Sequence, residues 1–113
     1  MIQIFGTKKC KDTQKAERFY KERRIDFQFR DLKEKGVSKK ELENIKQFYD
    51  LEEIIDKESK QYSKRNLQYI LHDIEEELLE DPLLFKTPIV RSNKKVVIGF
   101  QPEVWEEFIS NVD

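Results

Sequence analysis

The sequence predicts an α/β fold in which a βαβ unit and a ββα unit share one mixed four-stranded sheet. Strand, helix and strand patterns follow one another within the first 30 residues, and two short strands and a helix close the chain. Between these units, at about residues 37–82, apolar side chains recur at helical spacing. We therefore expect one domain spanning residues 1–113, with a helical insertion between its halves.

The N-terminal part of the chain predicts the βαβ unit. Residues 2–5 are mostly apolar and β-rich, and Gly6 ends this first strand. Three apolar side chains within residues 11–24 share one face of an amphipathic helix: Ala16, Phe19 and Tyr20. Phe27 and Phe29 then alternate with polar residues, as in a second strand. Two strands joined by one helix are expected to be parallel, with a right-handed crossover.

The insertion predicts two longer helices. Ser38 and Glu41 match a capping box, and an apolar stripe follows them: Leu42, Ile45, Phe48 and Tyr49. A second stripe ends before the helix stop at Pro82: Leu67, Ile70, Leu71, Ile74 and Leu78. Residues 50–66, between the stripes, are polar and lysine-rich, which predicts a loop that includes a short helix near residues 59–65.

The C-terminal part predicts a β-hairpin and a closing helix. Residues 87–91 and 96–98 have the composition of two strands joined by a tight polar turn. Pro102 stands at a suitable first position for a helix, whose apolar face is Val104, Trp105, Phe108, Ile109 and Val112. We expect Trp105 and the aromatic side chains of the βαβ unit to lie in the core.

The composition is that of a small protein that folds around one core. Of 113 residues, 40% are charged and 37% hydrophobic, and the mean hydropathy is -0.82. The 22 basic and 23 acidic side chains leave a net charge of -1, so no net field favours nucleic acid. No apolar stretch approaches the roughly 20 residues of a membrane span, and no signal-peptide core follows Met1. We expect a cytoplasmic monomer that binds neither nucleic acid nor membranes.

The chain has one cysteine, Cys10, and one histidine, His72, so it cannot form an internal disulfide or a Cys/His zinc site, and we expect no metal. Cys10 lies between the first predicted strand and the first predicted helix. Lone intracellular cysteines are commonly inert buried residues, but the charged neighbours on both sides of Cys10 favour an exposed, reactive thiol. His72, in the second predicted stripe, is expected to face solvent and to take no part in catalysis.

Several neighbours of Cys10 are candidates to stabilise a thiolate or a bound oxyanion. The cations Lys9 and Lys11, together with Lys8, add positive potential. The first-turn N–H groups of the helix are expected to point at the sulfur, where they would also hold an oxyanion. The Thr13 hydroxyl, three residues after the cysteine, can reach back to the sulfur or cap the helix.

Four stretches of the chain carry a family resemblance: Ile-Gln-Ile-Phe-Gly at 2–6, Lys-Cys-Lys-Asp-Thr at 9–13, Lys-Thr-Pro-Ile-Val at 86–90 and Ile-Gly-Phe-Gln-Pro-Glu-Val-Trp at 98–105. With the order of elements, they resemble the arsenate reductase and Spx family (ArsC/Spx), whose fold is thioredoxin-like with a helical insertion. The resemblance implies that Pro88 is cis and that its loop faces Cys10. The residues alone instead favour a Pro88 that simply opens an edge strand, where a missing N–H costs nothing.

The resemblance implies a thiol-dependent oxidoreductase similar to the single-cysteine arsenate reductases. Cys10 would attack a small oxyanion or a glutathione mixed disulfide. Because the chain has no second cysteine, glutathione, a glutaredoxin or a thioredoxin would serve as the external reductant. No bound cofactor is implied.

The sequence departs from the arsenate reductases at their oxyanion-binding arginines. Those enzymes have one arginine immediately before the cis-proline and others in the insertion and near the last strand. Here the first position is Thr87, and neither residues 56–62 nor residues 99–102 contain an arginine. Arg91, three residues after Pro88, is the nearest alternative cation, and a solvated charge on an edge strand is an equally good interpretation of it.

The alternative function is that of a non-catalytic regulatory module. Resemblance to Spx implies docking on the α-subunit of RNA polymerase, although the chain lacks the paired cysteines of the Spx redox switch. A family member that keeps the scaffold and has neither role is a third interpretation.

Overall fold

The structure, a computed structural model, describes residues 1–67, 73–93 and 95–110. The strands in these residues are β1 (Ile2–Gly6), β2 (Phe27–Asp31), β3 (Ile89–Ser92) and β4 (Lys95–Ile98). The helices are α1 (Lys11–Glu22), α2 (Lys39–Lys46), α3 (Leu51–Ile54), α4 (Lys60–Lys64), α5 (Ile74–Glu80) and α6 (Pro102–Ser110). A 3-10 turn at Pro82–Leu84 joins α5 to the loop before β3.

The strands form one mixed sheet in the order β2-β1-β3-β4. β1 and β2 are parallel, and β3 is antiparallel to both β1 and β4. This arrangement confirms the predicted α/β, thioredoxin-like fold. Because β3 is an inner strand, the alternative that Pro88 opens an edge strand is wrong.

Side chains alternate between the two faces of the sheet and build a hydrophobic core on each. The core under α1 and α6 contains Ile2, Ile4, Ala16, Tyr20, Val90, Val97, Trp105 and Phe108. The core under the insertion includes Phe5, Leu42, Ile45, Ile54, Leu78 and Ile89. Trp105 is 1% exposed, which confirms its prediction as a core residue.

Helix α2 is shorter than the sequence predicts. Ser38 and Glu41 form the predicted capping box, in which each side chain accepts the backbone N–H of the other residue. The helix ends before Phe48, which leaves the apolar stripe and is 47% exposed. Tyr49 instead directs its hydroxyl to the backbone N–H of Ile98, at 3.2 Å, and so covers part of the β4 edge.

The prediction of a loop at residues 50–66 is partly wrong, because the segment contains two short helices. Helix α3 begins with a second capping box, formed by Asp50 and Glu53. Helix α4 lies within the predicted residues 59–65 and begins where the Ser59 hydroxyl accepts a backbone N–H.

The single helix predicted from Leu67 to Leu78 is interrupted at Asp73. The backbone of Asp73 is extended, and its side chain accepts a first-turn N–H as the N-cap of α5. Helix α5 is therefore a new helix and not the continuation of an earlier one. Part of that prediction falls on residues outside the described ones: Ile70, Leu71 and His72.

The predicted hairpin and closing helix are confirmed. Asn93, in the turn between β3 and β4, has a φ of 54°, and Gly99, after β4, has a φ of 90°. Helix α6 begins at Pro102 as predicted, while Val112 lies outside the described residues. No helix in the described part of the chain combines the length and the apolar character that a membrane crossing requires.

Candidate thiol site

The loop after β1 places Cys10 at the N-terminus of α1. The Cys10 N–H donates to the Thr7 carbonyl at 3.2 Å, and the Cys10 carbonyl accepts the Gln14 N–H at 3.0 Å as a first bond of the helix. Cys10 is therefore the N-cap residue of α1. Its side chain is only partly buried, so the cysteine is not sealed inside the core.

The sulfur of Cys10 lies against the residue that precedes the cis-proline. The Thr87 hydroxyl donates to Cys10 Sγ at 3.1 Å, and Sγ lies 3.8 Å from the Thr87 carbonyl oxygen. The Thr87–Pro88 peptide bond is cis. Both features that the family resemblance implies for Pro88, its cis bond and a loop that faces Cys10, are therefore confirmed.

Backbone hydrogen bonds hold this loop on both sides of Thr87. Before it, the Lys86 N–H donates to the Ile54 carbonyl of α3 at 2.9 Å. After it, the Pro88 carbonyl accepts the Gly99 N–H at 2.8 Å. The Thr87 hydroxyl is thus carried by a segment that is fixed to the insertion on one side and to the end of β4 on the other.

The geometry at Thr87 serves both protonation states of the sulfur. As a thiol, Cys10 can donate its S–H to the Thr87 carbonyl. As a thiolate, Cys10 can accept the Thr87 O–H in a charge-assisted hydrogen bond. The threonine therefore remains a partner of the sulfur when the sulfur loses its proton.

The start of α1 contributes to the site differently from the prediction. Cys10 makes no side-chain hydrogen bond to the N–H groups of the first helical turn, so these groups act on the sulfur through the helix dipole alone. The side chains of Lys8, Lys9 and Lys11 are exposed. Their charges add a positive potential at Cys10 that solvent and salt weaken.

Thr13 does not serve the sulfur as predicted. Its side chain is fully buried, and its Oγ1 has no hydrogen-bond partner among the described residues. The reason is its packing against Gly6, where an added Cβ would lie 2.4 Å from Thr13 Oγ1 and 2.5 Å from Thr13 Cγ2. Thr13 therefore positions Cys10 indirectly, by holding the start of α1 close to the end of β1.

Arg91 lies away from the sulfur, so its prediction as a cation of the thiol site is wrong. β3 is antiparallel to β1 and pairs Arg91 with Gln3, near the start of β1, whereas Cys10 follows the end of that strand. This length of strand spans about 10 Å. The Arg91 guanidinium instead contacts the Glu41 carboxylate and the ring of Phe5.

Two cavities flank Thr87. The larger one, of about 360 Å³, is lined by Glu53, Asp56 and Lys86, and the other, of about 280 Å³, by Asp56 again and by Lys60. Among the described residues, neither wall includes an arginine. The cavities beside Thr87 therefore carry charges of both signs and no arginine cluster of the kind that binds an oxyanion in a bidentate manner.

Asp56 is the neighbour of the site that the sequence analysis missed. It lines both cavities together with Thr87 because the insertion packs on the loop before β3, where the Asp56 N–H donates to the Leu84 carbonyl at 2.8 Å. Nothing in the local sequence distinguishes Asp56 from the other acidic residues of the insertion. His72, which the sequence analysis expects to face solvent, lies outside the described residues.

Comparison with known proteins agrees with this fold. A family model described as ArsC family matches residues 5–108. Global transcriptional regulator Spx 2 of Bacillus anthracis is 25% identical over 96% of this chain and 87% of its own length. Among solved structures, the YffB (PA3664) protein has a TM-score of 0.82 at 20% identity, with 95% of this chain and 97% of that chain covered. An arsenate reductase from Vibrio cholerae has a TM-score of 0.79 at 21% identity, with 95% and 96% covered.

Proposed function

This chain belongs to the ArsC family, and on that premise we propose that it is a thiol-dependent oxidoreductase in which Cys10 is the attacking nucleophile. The observation that carries the proposal is the 3.1 Å hydrogen bond from the Thr87 hydroxyl to the Cys10 sulfur. This donor contacts the sulfur in either protonation state and stabilises a thiolate more strongly than a neutral thiol. The partial exposure of Cys10 supports access for a substrate.

The substrate that suits the site best is a glutathione mixed disulfide. Reduction of an oxyanion such as arsenate, the other substrate class of the family, needs cations that hold its charge. The cavities beside Thr87 have only Lys60 and Lys86 as cations among their described residues, and Asp56 and Glu53 oppose them. A disulfide carries no charge at its reacting atoms, so attack on it does not depend on the missing arginines.

The proposed reaction is an exchange of disulfide bonds in two steps. The Cys10 thiolate attacks the glutathione sulfur of a mixed disulfide, a bond forms between Cys10 Sγ and that sulfur, and the other thiol leaves as a thiolate and takes a proton from water. A second glutathione thiolate then attacks the adduct, forms glutathione disulfide and releases the Cys10 thiolate. Glutathione is the reductant, and the protein returns to its starting state. A glutaredoxin or a thioredoxin can replace glutathione in the second step.

The residues of the site have separate parts in this reaction. Thr87 donates a hydrogen bond to the sulfur before attack and again when Cys10 becomes the leaving group of the second step. Lys9 and Lys11 raise the local concentration of the anionic glutathione thiolate. The reaction needs a pool of reduced thiol, which is a property of the cytoplasm.

Two measurements on the purified protein test the proposal. Iodoacetamide is expected to alkylate Cys10 faster than it alkylates free cysteine at slightly acidic pH, and mass spectrometry is expected to detect one glutathione adduct after treatment with glutathione disulfide. Turnover of a mixed disulfide with glutathione, coupled to glutathione reductase, is expected to disappear in Cys10→Ser. Alkylation only at alkaline pH, together with no adduct, would exclude a reactive thiol.

The second candidate function is transcriptional regulation through docking on the RNA polymerase α-subunit. The observation that favours it is the similarity to regulators such as Spx 2, which extends over almost the whole chain. A stable complex with the α-subunit that is equally strong in Cys10→Ser, in a protein without disulfide turnover, would favour this candidate. Loss of the complex in Cys10→Ser would instead link the docking to the thiol.

A further inference from the structure

Arg91 is a largely buried cation with an incomplete set of partners. Its side chain is 20% exposed, and among the described residues its one carboxylate neighbour within ion-pair distance is Glu41, at 3.7 Å. That distance is longer than a hydrogen bond. A guanidinium carries five N–H donors, and burying it without hydrogen-bonded acceptors is costly.

Glu41 does not supply the missing acceptors of Arg91, because both of its carboxylate oxygens already accept hydrogen bonds from Arg30. Arg30 donates to both carboxylate oxygens of Glu41, at 2.7 and 3.0 Å, and the Ser38 N–H adds a third bond of 2.9 Å. Two guanidinium groups therefore neighbour one carboxylate. The three side chains together carry a net charge of +1 in a partly desolvated part of the protein. Burial lowers the pKa of Arg91, as does the charge of Arg30, while Glu41 opposes both effects.

The ring of Phe5 holds the two guanidinium groups in position. Arg30 lies 4.8 Å from the ring centroid and Arg91 lies 5.3 Å from it. Contacts of this kind restrict a long side chain without using its N–H donors. The Arg91 guanidinium is thus held in position, while most of its N–H donors have no hydrogen-bond acceptor among the described residues.

Arg91 lines a cavity of about 760 Å³ between the start of β1, the end of β3 and helix α2. Neutral amide side chains, Gln3 and Gln47, line it as well. Lys40 and Glu43 also line the cavity and contribute one charge of each sign. A volume of this order fits a small organic molecule and not only a bare inorganic ion.

We propose that this cavity is a second binding site, for a small organic anion whose carboxylate or phosphate group accepts a bidentate hydrogen bond from Arg91. The planar guanidinium fork matches both groups, and an anion supplies the negative charge that Glu41 alone does not. Gln3 and Gln47 then contact the uncharged body of the ligand. The site lies at the end of the sheet opposite Cys10, so it is independent of the thiol chemistry.

Titration of the full chain followed by ¹H–¹⁵N NMR tests the site. The probes are inorganic phosphate, phenyl phosphate and benzoate, each at constant ionic strength and neutral pH. Saturable shifts at millimolar concentrations are expected at the Arg91 side-chain N–H and at the amides of Gln3 and Gln47. The two phenyl probes are expected to bind more tightly than inorganic phosphate, and the stronger of them identifies the anionic group.

Two variants with a matched control attribute the shifts to Arg91. Arg91→Gln is expected to weaken binding about tenfold or more, because it removes a charge-assisted bidentate contact. Arg91→Lys keeps the charge but loses the fork, and an intermediate affinity is expected. The control Arg18→Gln removes the same charge from an exposed position and is expected to leave the affinity unchanged.

The proposal is overturned if none of the three probes gives a saturable shift around Arg91 in the wild-type protein. It is also overturned if Arg18→Gln weakens binding as much as the Arg91 variants, because the effect is then one of net charge. If Arg91→Gln does not fold, the test rests on the affinity of Arg91→Lys and on which residues of the wild-type protein show shifted signals. Shifts confined to the first turn of α1 would assign the anion to the thiol site and contradict the second site.

Discussion

The Thr87 hydroxyl lies 3.1 Å from the sulfur of Cys10, across a sequence separation of 77 residues. In the arsenate reductases that the chain resembles, an arginine is expected where Thr87 stands. The substitution exchanges a fixed cation for a short neutral donor that contacts the sulfur itself. This contact therefore supports the proposed thiol chemistry over the proposal of a separate oxyanion site.

Thr87→Val is expected to slow alkylation of Cys10 at neutral pH by about tenfold, because it removes a hydrogen bond to a charged group while keeping the shape of the side chain. The measurement is the rate of iodoacetamide alkylation at neutral pH. Thr87→Ser keeps the hydroxyl and is the matched control, with a rate close to that of the wild type. Equal rates in Thr87→Val and the wild type would contradict the assigned part of Thr87.

Thr87→Arg is expected to give the site an affinity for arsenate and phosphate that the wild-type site lacks. The new guanidinium would lie beside Cys10 and offer the bidentate donor that an oxyanion needs. The measurement is protection of Cys10 from alkylation by millimolar arsenate. Protection of the wild-type protein to the same degree would mean that Lys60 and Lys86 already suffice, and the preference for a disulfide substrate would be lost.

The sequence predicts the elements with strong local signals, and the structure differs where the decisive contact is non-local. The capping box at Ser38 and Glu41 and the helix start at Pro102 need only neighbouring residues, and both form as predicted. Helix α2 ends early, and beyond its end the Tyr49 hydroxyl accepts the backbone N–H of Ile98, a residue of another element. No periodicity within the insertion contains that information.

The candidate site divides in the same way. The residues alone predict Cys10 as a site residue, because it lies between the first strand and the first helix with charged neighbours on both sides. Pro88 becomes a site residue only through the family resemblance, since the residues alone favour an edge strand. The family resemblance then implied that their loops face each other. Arg91 was misplaced because sequence distance from Pro88 does not reveal that β3 runs back toward the start of β1. Thr13 was misassigned because only the fold shows its contact with Gly6.

Gly6→Ala is expected to destabilise the protein by about 1–3 kcal/mol, since overpacking forces neighbours apart in a well-packed place. The added Cβ would lie 2.4 Å from Thr13 Oγ1 and 3.0 Å from Thr13 Cβ, so the start of α1 must move. Urea denaturation followed by circular dichroism measures the loss. The same movement changes the position of Cys10 relative to Thr87, and slower alkylation is expected with it.

A double-mutant cycle assigns the effect of Gly6→Ala to this contact. Thr13→Ala removes the Oγ1 and Cγ2 atoms that the new Cβ meets first, so the double variant is expected to be more stable than the sum of the two single changes predicts. If the effects of the two changes simply add, the destabilisation by Gly6→Ala arises in the strand itself, and Thr13 does not determine the position of the helix.

Glu41→Gln is expected to lower the free energy of unfolding at neutral pH by about 2 kcal/mol. The free energy of unfolding of this variant is also expected to depend less on pH in the acidic range. Burial alone raises the pKa of Glu41, but the hydrogen bonds from Arg30 and from the Ser38 N–H, together with the charge of Arg30, prevail and hold the pKa below its ordinary value. A carboxyl with a lowered folded pKa contributes stability above its unfolded pKa of about 4.3 and loses it as the pH falls through the folded value. Urea denaturation at a series of pH values from neutral to acidic measures the free energy of unfolding.

Glu43→Gln, on the exposed side of the same helix, is the control for this prediction. An equal loss of stability in that variant would show that the loss comes from the helix and not from the Arg30 pair.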